Sequence, residues 1–86
     1  MIREVGLLDK IRVIKSSPLM VRFSLVTINE TINCVVVNSD LTIAIMMLVD
    51  GIYKVAVEGH YNKRKQLIVT NFTIRNPDRA AKELGL

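Results

Sequence analysis

The chain has no tryptophan, one cysteine, one histidine and two prolines. A single cysteine excludes an internal disulfide, and with it the stapled scaffolds of small secreted proteins. Cys34 reads instead as a small core residue in a reducing compartment, so a cytoplasmic protein is expected. A single histidine, His60, excludes multi-histidine metal centres, and no Cys/His spacing suggests another metal site. The eight acids are scattered along the chain, no glycine-rich phosphate loop is present, and no acid neighbours His60 in sequence. Neither catalysis nor a cofactor is expected. The longest apolar run, Ile43 to Val49, has seven residues, against about 20 for a membrane-spanning helix. The N-terminus lacks the apolar core of a signal peptide, so no membrane partner is expected. Two Tyr and two Phe are the only aromatics, which leaves few rings to stack on a ligand.

What is present is apolar, β-branched and mildly basic. Half of the 86 residues are hydrophobic, enough for a core, and the length fits one domain spanning 1–86. A domain of this size buries a modest fraction of its surface, so pairing with a second copy would add stability. The net charge of +4 permits a polyanionic partner without requiring one.

Period-two patterns alternate with turn clusters along the chain. A first strand is expected from about Val5 to Lys15, with Gly6 or Asp9 marking a bend or bulge. After the Ser16-Ser17-Pro18 turn, a second strand is expected over Leu19 to Ile28. In it Val21, Phe23 and Leu25 alternate with Arg22, Ser24 and Val26. Asn29-Glu30-Thr31 is a tight polar connection. In a third strand, Ile32 to Val37, the residues Ile32, Cys34 and Val36 share one face, and Asn33, Val35 and Val37 the other. The period then changes. Ser39 or Asp40 is a suitable N-cap and Gly51 a suitable C′ residue for a helix with a Leu41, Ala44, Ile45, Leu48 stripe. Its other side, Ile43, Met46 and Met47, is also apolar and offers a surface for a second copy or a partner protein.

A hairpin follows, with strands over Ile52 to Val57 and Leu67 to Ile74. Its polar tip is His60-Tyr61-Asn62-Lys63-Arg64-Lys65, and Gly59 is placed for a bulge that aims it. Asn76-Pro77-Asp78 reads as the start of a short C-terminal helix. Five strands with a helix between the third and fourth is the order of an all-β, five-stranded OB-fold barrel. The rival SH3-like and Sm-like barrels lack a helix at that position.

The wording of the strands adds a resemblance. Val21-Arg22-Phe23-Ser24-Leu25, Ile32-Asn33-Cys34-Val35-Val36, Leu48 with Gly51, Val55 and Val57 with Gly59, and Leu67, Val69 and Ile74 are similar to the pattern of nucleic-acid-binding OB domains. The pattern resembles the anticodon-binding domains of class II synthetases and the N-terminal domain of the exonuclease VII large subunit. It is also similar to bacterial single-stranded-DNA-binding and primosomal replication proteins. The resemblance covers about residues 8 to 75 and implies a ligand lying across strands two and three, flanked by the loops after strands one and four. On that basis the candidate nucleic-acid-binding residues are Arg22 and Ser24 on strand two, Asn33 on strand three, and Lys15 beside the first loop. Lys54 joins them from strand four, and His60, Tyr61, Lys63, Arg64 and Lys65 from the hairpin. The expected function is non-catalytic binding of single-stranded nucleic acid, DNA favoured over RNA, gripped through phosphates with little sequence specificity. The alternative is a protein-interaction or homodimerisation module using Ile43, Met46 and Met47. A cross-strand partner for Arg22 such as Glu58 would make that arginine structural.

Overall fold

The computed structural model describes residues 1–75. The C-terminal helix expected from Asn76-Pro77-Asp78 lies outside them. The elements are β1 (Ile2–Ser16), β2 (Leu19–Val26), β3 (Thr31–Val36), α1 (Ser39–Met46), β4 (Lys54–Tyr61) and β5 (Leu67–Ile74). The strands close into a barrel in the order β1-β2-β3-β5-β4, with β4 returning to β1. Every pairing is antiparallel except the short parallel contact of β3 with β5. A closed five-stranded barrel with its helix between β3 and β4 is the expected architecture, and it is compatible with an OB-like fold.

The alternation seen in the sequence builds the core. Val21, Phe23 and Leu25 of β2, Ile32, Cys34 and Val36 of β3, Val55 and Val57 of β4, and Leu67 and Val69 of β5 all point inward and are buried. Their apolar surface leaves water together, at roughly 25 cal/mol per Å².

Strand β1 starts at Ile2, three residues before the expected Val5. Its first half pairs with β4, Ile2 opposite Gly59 through Leu7 opposite Lys54, and its second half with β2. This double use closes the barrel and leaves no local pattern to read. A bulge follows Asp9. Asp9 faces Ser24, but the next pair is Arg12 with Arg22, so one extra residue sits on β1. Lys10 takes it up at φ 52 and stays exposed. The bulge shifts the strand's phase, so that Leu8 and Ile11, three apart, both reach the core and Arg12 is turned outward.

The helix is placed differently from the expectation. Its N-cap is Asn38, whose Oδ1 accepts hydrogen bonds from the N–H groups of Asp40 (3.0 Å) and Leu41 (3.1 Å). Neither Ser39 nor Asp40 fills that role. The helix ends at Met46 with Met47 as C-cap. Gly51 is therefore not its C′ residue; it holds φ 74 in the following turn and donates to the Leu8 carbonyl at 2.9 Å. Beside it the Asp50 carboxylate accepts from the Ile11 N–H at 2.8 Å, which ties the post-helix loop to the β1 bulge. The buried face carries Thr42 and Ile45, flanked by Leu41 and Leu48, while Ala44 is exposed rather than part of the stripe. Thr42 tolerates complete burial because its hydroxyl donates to the Asn38 carbonyl at 2.7 Å.

Strand β2 ends at Val26 rather than Ile28. Thr27 folds the chain back: its Oγ1 accepts from the Glu30 N–H at 3.1 Å and donates to the Glu30 carbonyl at 2.9 Å. Strand β4 runs from Lys54 to Tyr61, later and longer than the expected Ile52 to Val57. The displaced residue Tyr53 is the largest fully buried side chain, and its carbonyl accepts from the Leu8 N–H at 2.9 Å. Its hydroxyl has no hydrogen-bond partner among the described residues. A buried hydroxyl without a partner costs about 1–3 kcal/mol of desolvation. Tyr53→Phe is accordingly expected to raise the unfolding free energy by about 1 kcal/mol. Urea unfolding of the two proteins, with equal m-values, checks this; a loss of stability would mean the hydroxyl is bonded.

Candidate functional site

Because the core residues of β2, β3 and β5 face inward, the alternate positions form the outer wall, and the strand registers set them in rows. One row runs Arg12, Arg22, Val35, Ile68, His60 across β1, β2, β3, β5 and β4. The next runs Asp9, Ser24, Asn33. The alternative in which Glu58 pairs with Arg22 and makes it structural does not occur: Glu58 lies opposite Arg3 and Asn71, with a 3.4 Å hydrogen bond from Asn71 Nδ2. Arg22 instead faces Arg12, and two like charges opposite one another on a sheet are unfavourable unless an anion lies between or above them. Arg12 was not among the candidate residues. The signal for it is the three-residue spacing of Leu8 and Ile11, which reveals the bulge. Val35, expected on the open face, is there by register but buried, because the parallel contact with Ile68 covers it from one side and Arg22 lies on the other.

The hairpin tip is shorter than expected. His60 and Tyr61 belong to β4 and pair with Ile68 and Leu67. The turn itself is held by Asn62, whose Oδ1 accepts from the N–H groups of Arg64 and Gln66, both at 2.9 Å, and whose Nδ2 donates to Gln66 Oε1 at 2.9 Å. The side chains of Lys63, Arg64 and Lys65 thus project from a backbone with fixed geometry and remain exposed. Gly59 sits at the bulge between the Glu58 and Gly59 registers, as the sequence implied.

Tip and sheet meet at the end of β3 away from α1. A cleft of about 450 Å³ is lined there by Glu30, Thr31, Ile32, Asn33, Tyr61 and Lys65. Three of the candidate residues, Asn33, Tyr61 and Lys65, are thereby brought together, and Ser24 adjoins them through its pairing with Asn33. Glu30 and Thr31, read from sequence only as a connection, complete the wall. Tyr61 is 39% exposed, so its ring is available. Its hydroxyl is pushed above the usual phenol range by partial desolvation, then by the carboxylates of Glu4 and Glu30 and by Cys34. The cleft lining holds one acid, Glu30, and one cation, Lys65, while Lys63 and Arg64 lie outside it.

Two candidates stand apart. Lys15 pairs with Met20 beside the β1–β2 turn. Lys54 pairs with Leu7 and lines a separate groove of about 400 Å³, walled chiefly by Val5, Leu7, Val26 and Ile28.

Cys34 is fully buried on the inner face, as expected. Burial, and secondarily Glu4, pushes its thiol up to about 12. The unfolded thiol ionises near its ordinary value of 9.0, so above that pH the unfolded chain releases a proton that the folded chain keeps. The resulting contribution to stability is intact below pH 9.0 and is lost progressively as pH rises towards about 12. Folded protein at pH 8 is expected to resist iodoacetamide, with alkylation appearing only as urea unfolds it; rapid labelling in native buffer would contradict this placement.

Among the described residues, no group of three or more His, Cys, Asp or Glu could hold a metal ion, and no helix is long and apolar enough to cross a membrane. The fold and surface define a small closed barrel with a basic outer wall and a cleft at one end. Compared with known proteins, the chain matches no family model and no curated relative.

Proposed function

We propose that this protein binds single-stranded nucleic acid, DNA in preference to RNA, without catalysing a reaction on it, as part of DNA replication or a related transaction. The observation that carries the reading is one cleft lined by Asn33, Tyr61 and Lys65, with Ser24 beside Asn33 and the paired Arg12 and Arg22 in the neighbouring row of the same outer wall. Cations on the wall and tip track phosphates, while the Tyr61 ring stacks a base for about 1–3 kcal/mol. With one available ring, affinity comes mainly from phosphates. Engaging about four of them gives log K a slope near −3 against log salt for a single strand. Fluorescence anisotropy with a labelled ~30-mer at low salt tests the reading. Saturable binding is expected; no change in anisotropy would refute it.

A second reading, that the domain pairs with another copy of itself, is favoured by the apolar outer side of α1. Ile43, Met46 and Met47 are 56%, 45% and 67% exposed. Isolated apolar side chains on a surface are ordinary, but a contiguous set suggests a contact. Light scattering is expected to give a dimer for the natural chain and a monomer for Met46→Asp. A natural chain that is monomeric at all concentrations would remove this reading and leave the first untouched.

A further inference from the structure

The cleft between the tip and β3 holds two opposite charges that do not neutralise one another. Glu30 and Lys65 both line it, yet no ion pair joins them, and no hydrogen bond among the described residues engages either side-chain charge. The turn is held by the backbone of Glu30 through Thr27, and the tip by Asn62, so neither charged group is needed to maintain its own loop. A carboxylate only accepts hydrogen bonds and an ammonium only donates them. A cleft with one of each, a half-exposed ring and the Asn33 amide suits a flat ligand whose edge carries donors beside an acceptor. A phosphate would be repelled by Glu30 and belongs on the rim.

Among the nucleobases, guanine meets this arrangement best. Its N1–H and amino group are adjacent donors that one carboxylate can accept together. Its O6 and N7 are the acceptors that a lysine or arginine most often reads. Thymine and uracil have a single ring N–H donor, and adenine and cytosine offer only an amino group to a carboxylate. We propose that the cleft formed by Glu30, Asn33, Tyr61 and Lys65 is a guanine-selecting subsite within the strand-binding surface. Tyr61 stacks the base, Glu30 accepts from its N1–H and amino group, and Lys65 donates to O6. The cleft volume of about 450 Å³ lies within the usual range of small-ligand sites. This inference rests on the strand-binding reading and adds a base preference to it.

The test is competition binding with a thymidine 12-mer and the same oligomer carrying one central dG, dA or dC. The dG oligomer is expected to bind at least about 5-fold tighter than the other three, the lower end for a two-bond base contact. Glu30→Ala is expected to abolish that preference and to raise affinity for the thymidine oligomer slightly, because a negative charge leaves the cleft. Lys63→Ala is expected to weaken all four oligomers and keep the preference. Equal binding of the four, or a preference that survives Glu30→Ala, overturns the guanine subsite and leaves strand binding standing. No binding of any oligomer overturns the strand-binding reading itself.

Discussion

Gly59→Val is expected to abolish folding at 37 °C, and Gly59→Ala to cost about 3 kcal/mol or more. Gly59 lies at the β4 bulge, opposite Val69 on β5 and opposite Ile2 on β1. A Cβ built on it would run into the carbonyl oxygen of Ile68 and lie 2.8 Å from the carbonyl carbon, well inside an ordinary carbon contact of about 3.5 Å. The obstacle is backbone in the neighbouring strand and cannot rotate away. Relief requires β4 and β5 to separate near the turn end of the hairpin, where β5 also meets β3 through Leu67 and Ile68. A domain of this size has a margin of only about 5–10 kcal/mol. Far-UV circular dichroism and urea unfolding check this. A valine variant that unfolds at the natural midpoint would mean that the strands are not packed as described.

Reversing the tip, Lys63→Glu with Arg64→Glu and Lys65→Glu, is expected to reduce binding to a single-stranded 30-mer by about 100-fold at low salt. The three side chains are exposed, and the turn beneath them is held by Asn62 and Gln66, so the fold should survive. Reversal removes two of roughly four phosphate contacts, those of Lys63 and Arg64, together with the Lys65 contact in the cleft, and adds repulsion, so the salt slope should fall from near −3 to about −1.5. Unchanged unfolding with lost binding is the combination to look for in the same preparation. Binding that survives at natural strength would show that the tip is only a solvated turn, and would move the candidate surface to the Arg12–Arg22 wall or away from nucleic acid.

The barrel was legible in the sequence where one rule governed a whole stretch. Val21-Arg22-Phe23-Ser24-Leu25 alternates cleanly because β2 has a buried face and a wet one, and Leu67 to Ile74 is bounded by a polar turn. Legibility failed where distant pairing or a local break set the structure. Ile2 to Val5 is strand only because β4 lies beside it. Tyr53 carries no mark of its burial: it sits before β4, in a loop whose hydrogen bond to Leu8 fixes it under the barrel. Asn38 outcompeted Ser39 and Asp40 as N-cap because its amide oxygen reaches two N–H groups, a choice that composition alone does not decide. For the candidate site, the tip cations and Tyr61 were visible as residue types, but their assembly with Glu30 and Thr31 depends on the parallel approach of β5 to β3. Arg12 was hidden by the bulge at Lys10, which turns outward a side chain that plain alternation from Asp9 would not align with Arg22.

The central claim is that this barrel grips a single strand through a built surface and not through net charge alone. The most direct measurement is a salt titration of binding to matched single-stranded DNA, single-stranded RNA and duplex DNA. The account predicts a slope near −3 for the single-stranded DNA, with duplex bound at least about 10-fold more weakly at every salt concentration. Equal binding of single strand and duplex across the titration would contradict it.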